Sequence, residues 1–381
     1  MKVLMLNYEF PPMGGGAGNA TDNISKEMVK MGHDLTVLTS GYGHLPKFVL
    51  KDGVKIYRVF SWRKGIHDCG FRGAYTYLFS AAFKLLSLKK TDQFDIIHYF
   101  FSLPTGLLSL VPWAFRRTPY IVSLRGSDVP YYDIYNSKVH FLNLALKPVN
   151  KYIWKKAKRV IALSEGLKTT ALNSATNQPI GVIPNGVETD IFKPVPGQSK
   201  SSKKLRLITV SRLINRKGID HILKSLSELK DDDITLLVVG TGNYESYLKK
   251  VCHQLGLDNT VTFYGYCPRE RLSQLYNKAD VFILPSLAES FGIVFAEAMA
   301  CGLPVIGGRT GGVPDLVKED NGILVNPGKI DDITNAIITL KTNCALREKM
   351  GITNRKKVVD AYSWYNVAQS YLSIYRAVID S

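Results

Sequence analysis

The sequence predicts an α/β protein of two similar halves, each a parallel sheet flanked by helices, and three observations carry that expectation. Short β-branched, apolar runs alternate with helical stretches along the whole chain, the pattern of βαβ units. The 381 residues exceed the length at which a single core stops growing, so two domains are expected. A segment rich in Pro, Ser and Lys without apolar periodicity, residues 192–204, reads as a linker near the middle. The expected domains are therefore 1–192 and 193–363, followed by a final helix about 364–381.

In the first half, strands are expected at Val3–Leu6, Leu35–Thr39, Lys55–Val59, Ile96–Tyr99, Tyr120–Ser123, Arg159–Ala162 and Ile180–Ile183. In the second they are expected at Leu205–Val210, Thr235–Val239, Val261–Tyr264, Val281–Leu284, Val305–Ile306 and Ile323–Val325. Between them, helices are expected at Asn19–Met31, Tyr75–Leu88, Ile219–Leu229, Tyr247–Leu255, Val294–Ala300 and Ile330–Leu340. Ligands of such sheets bind beyond the carboxyl ends of the strands, so a cleft is expected there.

Charge narrows the partners. The net charge is +17, and residues 1–194 carry 25 Lys and Arg against 13 Asp and Glu, which is +12 of it. No acidic residue occurs from Ile134 to Ser164, where Lys138, Lys147, Lys151, Lys155, Lys156, Lys158 and Arg159 alternate with Phe141, Leu142, Leu144, Leu146, Tyr152, Ile153 and Trp154. Two readings stand level: a basic amphipathic helix on an anionic membrane, or a helix packed on a sheet with a solvated basic face. The stripe Tyr75, Leu78, Phe79, Ala82, Phe83 and Leu86, beside Lys84, Lys89 and Lys90, fits membrane docking or burial against the first sheet. Nucleic-acid motifs and zinc spacings are absent, so no nucleic-acid partner is expected.

Five scattered cysteines without C-x-x-C suit reduced thiols and a cytoplasmic setting. The start, Met-Lys-Val-Leu-Met-Leu-Asn, reads as a first strand and not a signal peptide. Residues 96–115 lack Lys, Arg, Asp and Glu, but Pro104, Gly106 and Pro112 interrupt them; strand, turn and helix are expected rather than a membrane span.

Three segments carry chemistry. Gly14-Gly-Gly-Ala-Gly18 opens the first long helix, where backbone N–H groups can approach an anion. It matches neither G-x-G-x-x-G nor a Walker loop, so nicotinamide and NTPase readings fail on spacing. Arg212 and Lys217 follow the strand Leu205–Val210 and read as a diphosphate clamp, a planar fork beside a point charge. Glu289 and Glu297 lie eight residues apart around the start of a helix. Eight helical residues would advance about 12 Å, a span joining ribose and sugar with a diphosphate between. Glu297 has apolar neighbours on a buried or cleft-facing helix and needs a partner, which ribose hydroxyls would supply.

The ordered set resembles the retaining glycosyltransferases of the GT4 type over nearly the whole chain. It comprises Gly14-Gly15-Gly16, Pro184-Asn-Gly-Val187, Ser211-Arg-Leu-x-x-Arg-Lys-Gly218, Val239-Gly-x-Gly242, Glu289-x7-Glu297 with its flanks, and Gly311-Gly312. The resemblance implies the GT-B fold: two Rossmann-like domains facing each other across a cleft, the final helix crossing back onto the first. It implies that Arg212 and Lys217 bind the donor diphosphate, that Glu297 holds the ribose, and that Glu289 meets the transferred sugar. Phe291, Gly292, Ile293 and Val294 would contact sugar and phosphate through their backbone. Gly240, Tyr266 and Cys267 would border the nucleotide, and Gly15 and Gly16 would close over the phosphates.

Arg125 stands where many relatives have His. It is a permanent cation able to bind a phosphate of acceptor or donor, or to pair with Asp128; Arg125, Asp128 and Asn19 are the expected acceptor or sugar contacts. The reaction implied is transfer from a UDP- or GDP-linked sugar to a lipid-linked or phosphate-bearing glycan at the inner membrane face, in surface polysaccharide synthesis. No other cofactor and no metal are expected. Lys217→Ala is expected to stop turnover with little loss of fold. The alternatives are an epimerase, a phosphorylase, or a non-catalytic nucleotide-sugar-binding protein.

Overall fold

The computed structural model describes residues 1–66, 68–91, 93–111, 118–195 and 204–381, with side chains of 89–91 excepted. The chain forms two compact units, Met1–Asn185 with Trp364–Ser381, and Gly186–Ser363. It thus leaves the first unit seven residues before the boundary expected at 192/193. The reason is Phe192, which is fully buried and sets its ring edge-on to Tyr276 of the second unit, 6.0 Å between centroids. Of the expected linker, residues 196–203 lie outside the described residues.

The first unit is an eight-stranded sheet. Its strands are β1 (Lys2–Leu6), β2 (Asp34–Ser40), β3 (Phe48–Lys51), β4 (Val54–Val59), β5 (Ile96–Phe100), β6 (Tyr120–Ser123), β7 (Arg159–Ala162) and β8 (Ile180–Val182). Their order is β3-β4-β2-β1-β5-β6-β7-β8, all parallel except β3 against β4. Every residue of β5 is buried, as a parallel strand covered on both faces requires. The helix Gly16–Lys30 buries Ala20, Ile24 and Met28, and the final helix Trp364–Ile379 buries Val367, Tyr371 and Tyr375. Both share one core with Val3, Met5 and Ile96. Beneath it His98 is fully buried, its Nδ1 2.6 Å from the Tyr375 hydroxyl and its Nε2 2.6 Å from Ser123 Oγ. Burial, aided by the Arg125 charge, holds this imidazole well below its ordinary value of 6.5.

The strand β3 is not among the expected ones. It pairs with β4 through a two-residue loop in which Asp52 and Gly53 both have positive φ, 50° and 77°. An Asp-Gly pair with both residues at positive φ makes the tight hairpin turn whose twist matches that of its strands.

The second unit is a six-stranded parallel sheet of β9 (Leu205–Val210), β10 (Ile234–Val239), β11 (Val261–Gly265), β12 (Val281–Leu284), β13 (Val305–Gly308) and β14 (Gly322–Val325). Its order, β11-β10-β9-β12-β13-β14, is the doubly wound one, with the reversal between β9 and β12. Leu207, Ile222, Leu236, Ile283, Ile306 and Ile337 lie in its core. At the amino-terminal end of the sheet, Arg206 grips the buried Asp280 with Nε at 2.9 Å and Nη2 at 2.8 Å.

The basic stretch 134–164 is not one amphipathic helix. Two helices, Ser137–Ala145 and Lys147–Lys156, meet at Leu146, because Pro148 suits the first turn of a helix but not its interior. Ile153 and Trp154 turn inward and are fully buried, while Phe141 and Tyr152 are exposed. The helix Gly70–Thr91 buries Tyr77, Ala81 and Leu85 and leaves Tyr75, Phe79 and Phe83 exposed. The aromatics of the expected stripe therefore face outward, while its Leu78, Ala82 and Leu86 are half-buried; of its flanking lysines, the side chains of Lys89 and Lys90 lie outside the described residues. Among the described residues no helix is long and apolar enough to cross a membrane.

Candidate active site

The two chemistry-bearing loops of the second unit leave β9 and β12, the strands that flank the reversal of its sheet. Ligands of open α/β sheets bind at that point. After β9 the chain runs through Arg212 into a short 3-10 turn, Asn215–Lys217. It then turns at Gly218, whose φ of 67° is left-handed. A Cβ there would stand 2.6 Å from the Pro285 carbonyl oxygen, so glycine is required for the two loops to touch. Leu287 N–H donates to the Arg216 carbonyl at 2.8 Å and ties them further.

Neighbouring loops hold this pair from either side. Gly240, after β10, sits where a Cβ would lie 1.8 Å from Ser211 O. Gly311, after β13, sits where one would lie 1.8 Å from Glu289 O, and Gly312 N–H donates to that same oxygen at 2.9 Å. These glycines lock backbone to backbone. The requirement for glycine at Gly240, expected to border the nucleotide, is explained by this packing.

The locked loops bring Lys217 and Glu289 together. Lys217 Nζ is 2.5 Å from Glu289 Oε2, with both side chains nearly buried, 12% and 13% exposed. Arg212 is exposed. Its guanidinium has no partner among the described residues. The helix Ile293–Ala300 follows, with Gly292 as its N-cap at φ 90°, no side-chain cap and no acid in its first turn. Phe295 N–H donates to the Gly292 carbonyl at 2.9 Å; the N–H groups of Ile293 and Val294 and the positive dipole end suit an anion. Phe291 and Gly292 are buried, Ile293 and Val294 half-buried. Tyr266 is exposed, and Cys267 is buried with Sγ 3.4 Å from the Pro268 carbonyl oxygen.

Two expectations need correction. Glu289 lies in the loop and not on the helix, which begins at Ile293, so helical spacing does not relate the two glutamates. Positive φ at Gly292 ends any continuous helical path between them. Glu297 is buried, as expected, but the protein supplies its partners. Arg269 Nη1 is 3.1 Å from Oε1, and the Tyr276 hydroxyl donates to Oε2 at 3.2 Å. Arg269 also pairs closely with Glu188. Burial pushes the Glu297 carboxyl up while Arg269 pulls it back. Ribose hydroxyls would add to these contacts; they are not what the burial demands. The sequence shows the need for a partner but not its identity: Arg269 and Tyr276 are 28 and 21 residues away in the numbering, and Glu188, which pairs with Arg269, is 109 away.

In the first unit, Gly15 and Gly16 are exposed and Asn19 half-buried at the start of the helix Gly16–Lys30. Close approach occurs instead at Gly14, φ 88°, where a Cβ would lie 2.5 Å from Glu9 Cβ, and at Gly18, where one would lie 3.1 Å from Met13 O. Arg125 follows β6 and is buried. It does not pair with Asp128 through its guanidinium. Asp128 Oδ1 accepts from the backbone N–H groups of Arg125 and Gly126 at 2.9 and 3.0 Å, and Oδ2 from Ser102 at 2.6 Å. Buried and saturated in this way, Asp128 fastens the loop rather than offering a free ligand contact.

The comparisons with known proteins agree with this architecture. Residues 14–191 match the model of Glycosyltransferase Family 4, and residues 193–357 that of Glycosyl transferases group 1. An uncharacterized glycosyltransferase of Methanocaldococcus jannaschii is 28% identical over 401 residues, covering 100% of this chain and 99% of that one. The GDP-mannose-dependent alpha-(1-6)-phosphatidylinositol monomannoside mannosyltransferase of Mycolicibacterium smegmatis is 27% identical, covering 95% of each chain. Among solved structures, sucrose-phosphate synthase of Thermosynechococcus elongatus superposes with a TM-score of 0.85 at 21% identity, covering 100% of this chain and 99% of that one. An Anabaena protein crystallised with UDP and glucose gives 0.77 at 21% identity, covering 98% and 99%. The chain belongs to the GT4-type glycosyltransferases, enzymes of GT-B fold that use nucleotide-sugar donors.

Proposed function

We propose that this enzyme is a retaining transferase that moves a sugar from a UDP- or GDP-linked donor to a hydroxyl of a lipid-linked or phosphate-bearing glycan. The observation that carries this reading is the Lys217–Glu289 pair, held where the sheet of the second unit reverses and beside a helix without a side-chain cap. Lys217, Arg212 and the amides of Phe291 to Val294 bind the diphosphate; Glu297 takes a ribose hydroxyl; Tyr266 and Cys267 border the base. Gly15 and Gly16 are assigned to phosphate, and Asn19 and Arg125 to the acceptor or sugar. Asp128 is assigned to positioning.

As the acceptor oxygen bonds to the anomeric carbon, the bond from that carbon to the phosphate oxygen breaks. The acceptor proton passes to the departing phosphate oxygen on the same face. Negative charge grows on the diphosphate, and a cation placed there in advance lowers the barrier. A diphosphate oxygen competes with Glu289 for Lys217, which frees the carboxylate to face the electron-poor sugar carbon. No cofactor beyond the nucleotide sugar is assigned, and turnover is expected to survive EDTA.

The exposed aromatics Tyr75, Phe79, Phe83, Phe141 and Tyr152, interspersed with lysines, support docking of the first unit on an anionic membrane from the cytoplasmic side. Surface-glycan assembly is the assigned role. Transfer or hydrolysis measured over a panel of UDP- and GDP-sugars, with and without EDTA, tests the reading; a folded protein that binds these donors without turning any over would leave a non-catalytic binding protein.

A further inference from the structure

We propose that the guanidinium of Arg125 is a two-point receptor for an oxyanion of the substrate, a phosphate or a carboxylate. The inference rests on the glycosyl-transfer reading and names the chemistry of its Arg125 contact. Arg125 is 7% exposed, and only one guanidinium nitrogen is used: Nη1 donates to Asn185 Oδ1 at 2.8 Å. Nε and Nη2 are buried and have no partner among the described residues. Those two nitrogens share one edge of the planar group, the edge whose parallel N–H bonds match two oxygens of a carboxylate or phosphate.

The protein contains its own controls. Arg206 uses that same Nε and Nη2 edge to hold the carboxylate of Asp280 at 2.9 and 2.8 Å. Arg63, equally buried in the first unit, satisfies Nε, Nη1 and Nη2 with Gly65 O, Tyr8 O, Ser40 Oγ and Ile66 O. Arg125 alone of these three keeps its fork unspent. The carboxylate next to it, Asp128, is taken by three backbone N–H groups.

The remaining contacts hold the fork in place. The Arg125 guanidinium carbon lies 4.5 Å from the Phe100 ring centroid, a cation–π seat. Asn185, from the Pro184-Asn-Gly-Val187 motif to which sequence reading gave no role, fixes the opposite edge and is a positioning residue. A buried cation with unmade hydrogen bonds costs stability, and an oxyanion on the free edge would recover it.

The test uses the full chain and four probes: methyl phosphate, acetate, UDP and GDP. Affinities are measured by calorimetry for the wild type, Arg125→Gln, Arg125→Lys and Lys217→Ala, with melting temperature as the check on folding. Arg125→Lys keeps the charge but not the fork, so it serves if the Gln variant does not fold. Each Arg125 variant is expected to bind at least one probe about tenfold or more weaker, the worth of a charged two-bond contact. Loss confined to methyl phosphate or acetate identifies an anionic acceptor; loss for UDP or GDP identifies the donor diphosphate. Folded Arg125 variants that bind all four probes like the wild type would overturn the proposal. Lys217→Ala separately reports the donor reading, since unchanged UDP and GDP affinity in that variant removes the clamp and leaves the Arg125 result standing.

Discussion

Lys217 and Glu289 stabilise each other, and this changes what a mutation there does. The earlier expectation that Lys217→Ala would leave the fold almost untouched does not follow from a nearly buried pair at 2.5 Å. Removing the ammonium strands the carboxylate, a loss of about 1–3 kcal/mol. Lys217→Ala is therefore expected to lose about a hundred- to a thousandfold in kcat, as removal of a charge-stabilising donor does, and to melt earlier as well. Adding Glu289→Gln should restore much of the melting temperature and none of the activity. Denaturation and steady-state kinetics on the double variant separate the two effects. His98 gives a second prediction at this scale. Its folded form resists protonation, so the unfolded chain binds the extra proton below about pH 6.5. The stability it contributes is present above that value and is lost as pH falls, by about 1.4 kcal/mol per pH unit. Urea midpoints of the wild type between pH 7 and 5 should show this slope, and His98→Gln should flatten it.

At the scale of elements, the site is made by loops welded through glycine. Gly240 and Gly311 each press against a carbonyl of a loop that carries Arg212 or Glu289. Gly240→Ala or Gly311→Ala is expected to cost about 2–4 kcal/mol, from overpacking and from strain at positive φ, and to weaken nucleotide binding without touching a charge. Strand positions were legible because buried parallel strands are continuous apolar runs, and β9 and β12 appear in the structure with the expected limits. The helix holding Glu297 was legible too. The path from Glu289 to it was not, since Gly292 and its positive φ act through three dimensions and leave no periodicity. The partners of Glu297 were hidden for the same reason: Arg269 and Tyr276 reach it through the fold. Outward aromatics make a further element-scale prediction. Phe79→Ser with Phe83→Ser should reduce binding to anionic vesicles several-fold while leaving activity on a soluble acceptor; unchanged vesicle binding would remove the membrane assignment.

For the whole molecule, the two units differ in what the sequence disclosed of them. The second unit was readable because its cations and carboxylates follow strands at a doubly wound reversal, so spacing and topology point to one place. In the first unit the basic charge drew attention to the surface, while the informative residue, Arg125, is buried among Phe100, Asn185 and the backbone. Its free edge depends on where Asp128 spends its oxygens, which no local pattern records. The central claim is that Lys217 and its surroundings stabilise a departing nucleoside diphosphate. The direct measurement is turnover of a panel of radiolabelled UDP- and GDP-sugars by the full chain beside Lys217→Ala, with the anomeric configuration of the product read by NMR. Turnover of at least one donor with retained configuration is expected, with near-complete loss in the variant. Comparable rates in the folded Lys217→Ala protein, or an inverted product, would contradict the central claim.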